Sequence, residues 1–379
     1  MAAHFNSIVR DEKDYFAIEE LGTKTEYRCV ACRNCHRCRQ GDSLEKISLK
    51  EEAEQAQIEN SVQLNVPAKT LEASLPFIDS PATKLTDNKK VAISIFQSQM
   101  RNIQKNPDMR EDIVRSHDKL LTKGFVMKET DLPPDIKAEY GKVDGQGYYI
   151  PWRVVFKESS LSTPVRMVFD ASSSTPGGDS LNNILAKGDN RLSKIIDILV
   201  QFRSGRHAFA ADVKMAYNGI KLLPAYYKFH RYLWKDNMEE GNQLTTWVLL
   251  TLIYGVKSAG QQTIAGFLKL ADHCESNHPD HMVGADTLRN NTYMDDIMRS
   301  EDTVEQCKTT AQSVAFTLSL GSMTVKCFTY SGRDPQEEVS ADGVHIGLLG
   351  YSWAPKADTI SIDVKDCLNR SVDFQESKH

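Results

Sequence analysis

Apolar positions along this chain change their period near residue 143, and that change divides its predicted elements. Upstream, helical spacing prevails. A helix is expected from Ser48, where Ser-Leu-Lys-Glu has capping-box spacing, through an alanine- and glutamate-rich run to about Val62. Two more are expected over about 87–104 and 108–122, ended by Pro107 and Gly124. Residues 63–86 hold three prolines and read as a connector with extended pieces. Downstream, from the turn Gly145-Gln146-Gly147, short apolar strands alternate with polar turns. A strand pair is expected over 148–156 and 164–170, then a helix over 190–202 from the spacing of Leu192, Ile195, Ile196 and Leu199. Strands follow at 207–213 and within 244–254, a helix at 258–273, a hairpin at 292–299 and an amphipathic helix at 303–320. Strands at 324–329, 345–353 and 359–364 close the pattern. Antiparallel strands mixed with helices indicate α+β rather than a wound parallel sheet.

Composition narrows the class. Hydrophobic residues at 40% and charged residues at 26% fit a soluble globular protein of 379 residues, long enough for more than one domain. The longest apolar run, 247–256, is interrupted by Thr251 and is too short to span a bilayer, so no membrane partner is expected. The first residues lack a signal-peptide pattern, and the expectation is a cytoplasmic protein with reduced or metal-bound cysteines. The net charge of −5 hides an asymmetry. Residues 151–240 carry 13 Lys and Arg against 9 Asp and Glu, whereas 241–379 carry 11 against 18. A basic wall facing an acidic one suits an enzyme that grips phosphates and cations together; random surface scatter is the alternative. Neither a Walker A nor a dinucleotide glycine motif is present.

The candidate chemistry centres on Tyr293-Met294-Asp295-Asp296 and on Asp212, which ends the apolar run from His207. Two acidic positions at strand ends, about eighty residues apart, can hold two Mg²⁺ ions. Such ions sit ~3.5–4 Å apart and clamp the attacking and leaving oxygens of a phosphoryl displacement. Adjacent carboxylates repel unless a cation neutralises them. Asp-Asp pairs also occur in ordinary solvated turns.

Five blocks in order resemble a reverse transcriptase, and more narrowly the polyprotein of BEL/Pao-type LTR retrotransposons. Tyr149-Ile150-Pro151-Trp152 through Thr163 to Ser172, with Ser180-Leu181-Asn182, resembles the fingers. Asp212 to Tyr217 resembles the first palm motif, Tyr254-Gly255-Val256-Lys257-Ser258-Ala259 the second, and the Tyr-Met-Asp-Asp box the third. Leu348-Leu349-Gly350-Tyr351-Ser352-Trp353 resembles the primer-grip hairpin, and the resemblance makes Leu349, Gly350 and Tyr351 the primer-grip residues.

The resemblance implies a right-hand fold with an antiparallel palm sheet over 143–366. A cysteine-rich segment (1–41) and a helical linker or pre-fingers region (42–142) precede it, and a truncated tail (367–379) follows. It implies RNA-directed DNA polymerase activity on an RNA or DNA template with primer and dNTPs. Other regions of a parent polyprotein are implied partners, and retroelement particles an implied setting. Asp212 and Asp295 would ligate both Mg²⁺ ions, Asp296 would support them, and the Val213 carbonyl would add a ligand. Arg166 would bind the triphosphate and Tyr217 would exclude a ribose 2′-OH. Tyr254 and Gly255 would lie beneath nucleotide and template, Lys257 near the nucleic-acid backbone, and Tyr293 and Met294 at the substrate. Lys326 falls where the family has a proposed general-acid lysine; by itself it reads as a solvated lysine. Ile253 and Gly260 stand where many members have proline. Thumb and RNase H regions are not represented, so a truncated, catalytically inactive retroelement-derived protein that binds nucleic acid or a partner is the alternative.

Cys29, Cys32, Cys35 and Cys38 recur every three residues among arginines. Four thiolates suit structural Zn²⁺, but only two residues separate the C-x-x-C pairs where zinc ribbons use a longer loop. Zinc, no metal and an iron–sulfur cluster all stay open. His273, Cys274, His278 and His281 lack an established ligand spacing and read as exposed loop residues.

Overall fold

The computed structural model describes residues 27–29, 46–156, 165–188, 192–239, 241–333 and 345–362. The chain enters through a strand pair, β1 (Tyr27–Cys29) and β2 (Lys46–Ser48), followed by α1 (Leu49–Asn60). The extended pieces expected in the connector include a hairpin of β3 (Val62–Asn65) and β4 (Thr70–Ala73). The second partner of β4, β9 (Ile220–Leu222), lies far downstream and pairs with it in parallel, so no local pattern announces that pairing. Helices α2 (Lys89–Gln104) and α3 (Pro107–Thr122) follow. Pro107 opens α3 rather than ending α2, since the first turn of a helix has no use for the missing N–H.

These helices pack beside a second sheet of β5 (Val126–Lys128), β10 (Arg231–Lys235) and β11 (Leu244–Leu249), and beside the hairpin of β6 (Trp152–Phe156) and β7 (Val165–Phe169). Aromatic rings join them. The His117 ring of α3 stacks on Trp234 at 3.8 Å and its Nε2 hydrogen-bonds the Tyr232 hydroxyl at 2.8 Å. Burial pushes His117 down to about 4, so the ring is neutral near pH 7 and stacks as an uncharged plate.

The central sheet comprises β8 (His207–Val213), β12 (Thr292–Tyr293), β13 (Asp296–Glu301) and β14 (Val325–Tyr330), in the order β12-β13-β8-β14 and antiparallel throughout. β8 is apolar at successive positions because both of its faces are covered. Phe209 and Val213 face the larger core, where α5 (Ala259–Asn277), α6 (Met282–Asn290) and α7 (Val304–Ser319) contribute Phe267, Leu288 and Val314. Ala208 and Ala210 face a smaller core shared with Ile198 and Phe202 of α4 (Ile195–Phe202). That core is closed by β15 (Ile346–Leu348), β16 (Tyr351–Ala354) and β17 (Thr359–Ser361), whose Trp353 meets Phe202 edge-on at 5.0 Å. The segment 345–353, a strand by its apolar pattern and a hairpin by resemblance, is a hairpin. Its turn places Leu349 and Gly350 both at positive φ, the conformation that matches strand twist. Among the described residues no helix is long and apolar enough to cross a membrane.

Helix α6, which no sequence signal marked, approaches α7 backbone to side. A Cβ on Gly284 would stand 2.3 Å from the Ser313 carbonyl oxygen. Gly284→Ala is expected to destabilise the fold by ~1–3 kcal/mol, read as a lowered urea midpoint with an unchanged slope.

Candidate functional site

Three carboxylates meet at one end of the central sheet. Asp212 lies directly across from Asp296 in the β8–β13 pairing, and Asp296 in turn pairs with Tyr293 across the β12–β13 hairpin. The two-residue turn is Met294-Asp295, with Met294 left-handed at φ 57. That conformation costs about 1–2 kcal/mol for a residue with a Cβ. Consecutive side chains of a flat strand diverge to opposite faces, so only the turn lets Asp295 and Asp296 share this edge. The Val213 N–H donates to the Asp295 carbonyl at 2.8 Å and ties the turn to the end of β8.

Crowding shows in the acidities. Burial, then Asp295 and Asp212, pushes Asp296 up to about 7. Burial, then Asp295, pushes Asp212 up to about 6, with Lys326 opposing. Asp295 is raised by burial, partly offset by a backbone hydrogen bond. Asp212 is the most solvent-open of the three, so screening softens the effect there, and Asp296 is the better protected carboxyl. Lys326 owes its influence to a bulge. Val325 faces Val213 and Phe328 faces Ala211, which leaves Lys326 and Cys327 opposite Asp212 alone. Among the described residues no group of three or more His, Cys, Asp or Glu forms a ready metal cage. Mg²⁺ is usually held by one or two carboxylates with waters and substrate phosphates instead, and hard oxygen donors that repel one another fit it.

Beside the carboxylates, Tyr217 is buried, and its ring lies 4.0 Å from that of Tyr254, which is 58% exposed. Burial, then Asp295, pushes the Tyr217 hydroxyl up to about 12. Gly260 gives both neighbours room: a Cβ there would lie 3.3 Å from Met294 Cε and 3.6 Å from the Tyr217 hydroxyl. Gly255, at φ +98, has no such tolerance, because its Cβ would fall 1.9 Å from the Phe169 carbonyl oxygen. Asn182 holds this approach together. Its Nδ2 donates to the Gly255 carbonyl and to Ser172 Oγ, both at 2.8 Å, while its Oδ1 accepts from the Lys257 N–H at 2.8 Å. The Lys257 ammonium is committed to the Leu185 carbonyl at 2.7 Å. Asn182 was visible only as part of the fingers-like block; its role needs a partner 73 residues away.

Arg166 sits on β7 opposite Val155, and its side chain is outside what the structure describes. Cys29 belongs to β1, while Cys32, Cys35 and Cys38 lie outside the described residues. Leu349 and Tyr293 pack on the same small core, so the β15–β16 hairpin with Gly350 and Tyr351 is coupled to the acidic edge. His273 and Cys274 are part of α5 rather than of a loop, and His281 stacks on Phe316 at 3.8 Å. The Cys274 thiol is buried against Thr317.

The structure is thus a mixed α+β protein of small sheets, almost all antiparallel, with an acidic sheet edge as its most distinctive site. No protein-family model matches the chain, and no curated protein does. Among solved structures, a foamy viral protease-reverse transcriptase in complex with double-stranded DNA is similar at 16% identity and a TM-score of 0.40. The match covers 66% of this chain and 34% of that one, so the chain spans about a third of that protein's length.

Raised carboxyl values carry a definite pH signature. The folded site keeps its protons to higher pH than the unfolded chain, whose carboxyls titrate near 3.8. Below about pH 4 both states are protonated and nothing is lost; as pH climbs toward about 7 the folded site must charge, and stability falls. Asp296→Asn is expected to raise the melting temperature at pH 8 and leave it nearly unchanged at pH 4. Melts at the two pH values check this.

Proposed function

We propose that this chain is the fingers-and-palm portion of a reverse transcriptase of the BEL/Pao type, an RNA-directed DNA polymerase. The observation that carries the proposal is the register that sets Asp212 opposite Asp296 with Asp295 on the adjoining turn. Asp212 and Asp295, supported by Asp296 and the Val213 carbonyl, would hold two Mg²⁺ ions. When bound, these supply charge stabilisation for the attacking 3′-hydroxyl and the leaving pyrophosphate.

The chain's own residues do the positioning. Tyr217 is buried and buttressed by the Tyr254 ring, which would hold it in place against a ribose 2′-OH. Arg166 on β7 would take the triphosphate, and its guanidinium keeps its charge at any working pH. Asn182 fixes Gly255 against the end of that same strand, which sets the distance between the two walls. Lys257 would act through the backbone it braces. Template and primer would be held mainly through phosphates, with steep salt dependence and no sequence preference. A cytoplasmic setting in retroelement particles and Zn²⁺ at Cys29, Cys32, Cys35 and Cys38 belong to the same proposal.

Mg²⁺-dependent extension of a DNA primer on an RNA template is the direct test. Asp295→Asn/Asp296→Asn is expected to lower the rate by roughly 10²-fold or more. Folded protein that binds template–primer without extending it would replace this reading with that of an inactive retroelement-derived binding protein. Tyr217→Ala is expected to admit ribonucleotides, with discrimination against them falling about tenfold or more in single-nucleotide incorporation.

A further inference from the structure

At the opposite end of β8 from the aspartates the fold leaves a cavity of about 490 Å³, within the range of small-molecule sites. It lies between the first turns of α7 and the place where β8 begins and β14 finishes. His207 and Asp212 are the two ends of that separation, ~17 Å of extended strand. Ala208, Val304, Cys307 and Tyr330 make its walls mostly apolar. Burial, then Glu301, pushes the Cys307 thiol up to about 11, so it stays protonated and acts as a small apolar surface.

Charge at the rim has one sign. Arg333 and Lys308 line the cavity, and among the described residues no carboxylate does. Lys308 is committed to Glu305 at 3.1 Å on the same helix. Arg333 has no ion-pair partner among the described residues; it acts on Tyr330, whose hydroxyl is raised by burial and then by Cys307 and eased by Arg333. Ser331 Oγ accepts from the Ala208 N–H at 2.9 Å, which leaves its own proton to give. His207 faces Glu301 in the β8–β13 register, but Glu301 is already held by Arg299 at 2.8 Å and Thr310 at 3.0 Å. The Gly332 N–H donates to the Pro355 carbonyl at 2.8 Å and fixes the turn that carries Arg333. A Cβ on Gly332 would meet nothing within 4 Å, so the space beside Arg333 is open. An apolar chamber with one uncommitted cation at its rim selects a ligand that is apolar in body and singly negative at one end. A guanidinium fork matches a carboxylate with two parallel hydrogen bonds, and the Tyr330 and His207 rings favour a flat aromatic body. A doubly charged phosphate ester would find its second charge unmatched, because Lys308 is taken.

We infer that this cavity binds a small aromatic carboxylate, with its ring against Tyr330 and Val304 and its carboxylate on Arg333. Such binding does not depend on the polymerase reading, since the aspartates lie at the other end of the strand. Calorimetry of the full chain with naphthoate and with its uncharged amide tests it. Wild type is expected to bind the carboxylate about fivefold more tightly than the amide, the scale of one exposed ion pair. Arg333→Gln is expected to remove that preference. Val304→Trp, which fills the cavity from the helix side, is expected to weaken both ligands by roughly tenfold or more. Both positions are solvent-exposed, so both variants are expected to fold. Asp212→Asn/Asp295→Asn/Asp296→Asn is expected to bind naphthoate like wild type. The cavity is not such a site if wild type binds neither ligand, or if the amide binds as tightly as the carboxylate. It is equally overturned if folded Arg333→Gln keeps the preference, if folded Val304→Trp binds like wild type, or if neutralising the aspartates abolishes binding.

Discussion

The acidic edge depends on one register: β13 runs against β8 so that Asp296 lies across from Asp212. Like charges directly opposite on an antiparallel pair are destabilising, so nothing local favours this pairing. It is imposed by the rest of the strand. Ala208 and Ala210 must face the small core while Phe209 and Val213 face the large one, and a one-residue slip would exchange them. Two cores thus hold together three carboxylates that would separate if left alone.

The same tension explains the local irregularities. Met294 is left-handed because a tight two-residue turn is what brings Asp295 to the edge beside Asp296. The β14 bulge interrupts a regular ladder and sets Lys326 opposite Asp212, whose charge it eases. Gly255 lets the chain pass within contact of the Phe169 carbonyl, where any side chain would collide. Strain and unrelieved charge gathered in one place, on a sheet clamped from both faces, are the usual marks of a site rather than of a scaffold.

Legibility followed the range of the interactions. Helices with a clear amphipathic period were readable nearly to the residue: 303–320 was expected and Val304–Ser319 is found. The hairpin around Asp295 and Asp296 was equally plain. By contrast the parallel pairing of β4 with β9 was not foreseen because β9 comes from elsewhere in the chain, and α6 was missed because its burial rests on a glycine contact with α7. The link from Asn182 to Gly255 and Lys257 was invisible for the same reason.

By itself the sequence determined the class of elements, the apolar run of β8 and the identity of the three acidic residues, Asp212, Asp295 and Asp296. These are set by periodicity and side-chain chemistry, which are local. Only the tertiary structure decided that Asp212 faces Asp296, that Lys326 is bulged toward them, and that Asn182 reaches Gly255 and Lys257. Those juxtapositions come from the register of the β8–β13 and β8–β14 pairings and from how separate segments pack, which no single stretch of chain encodes.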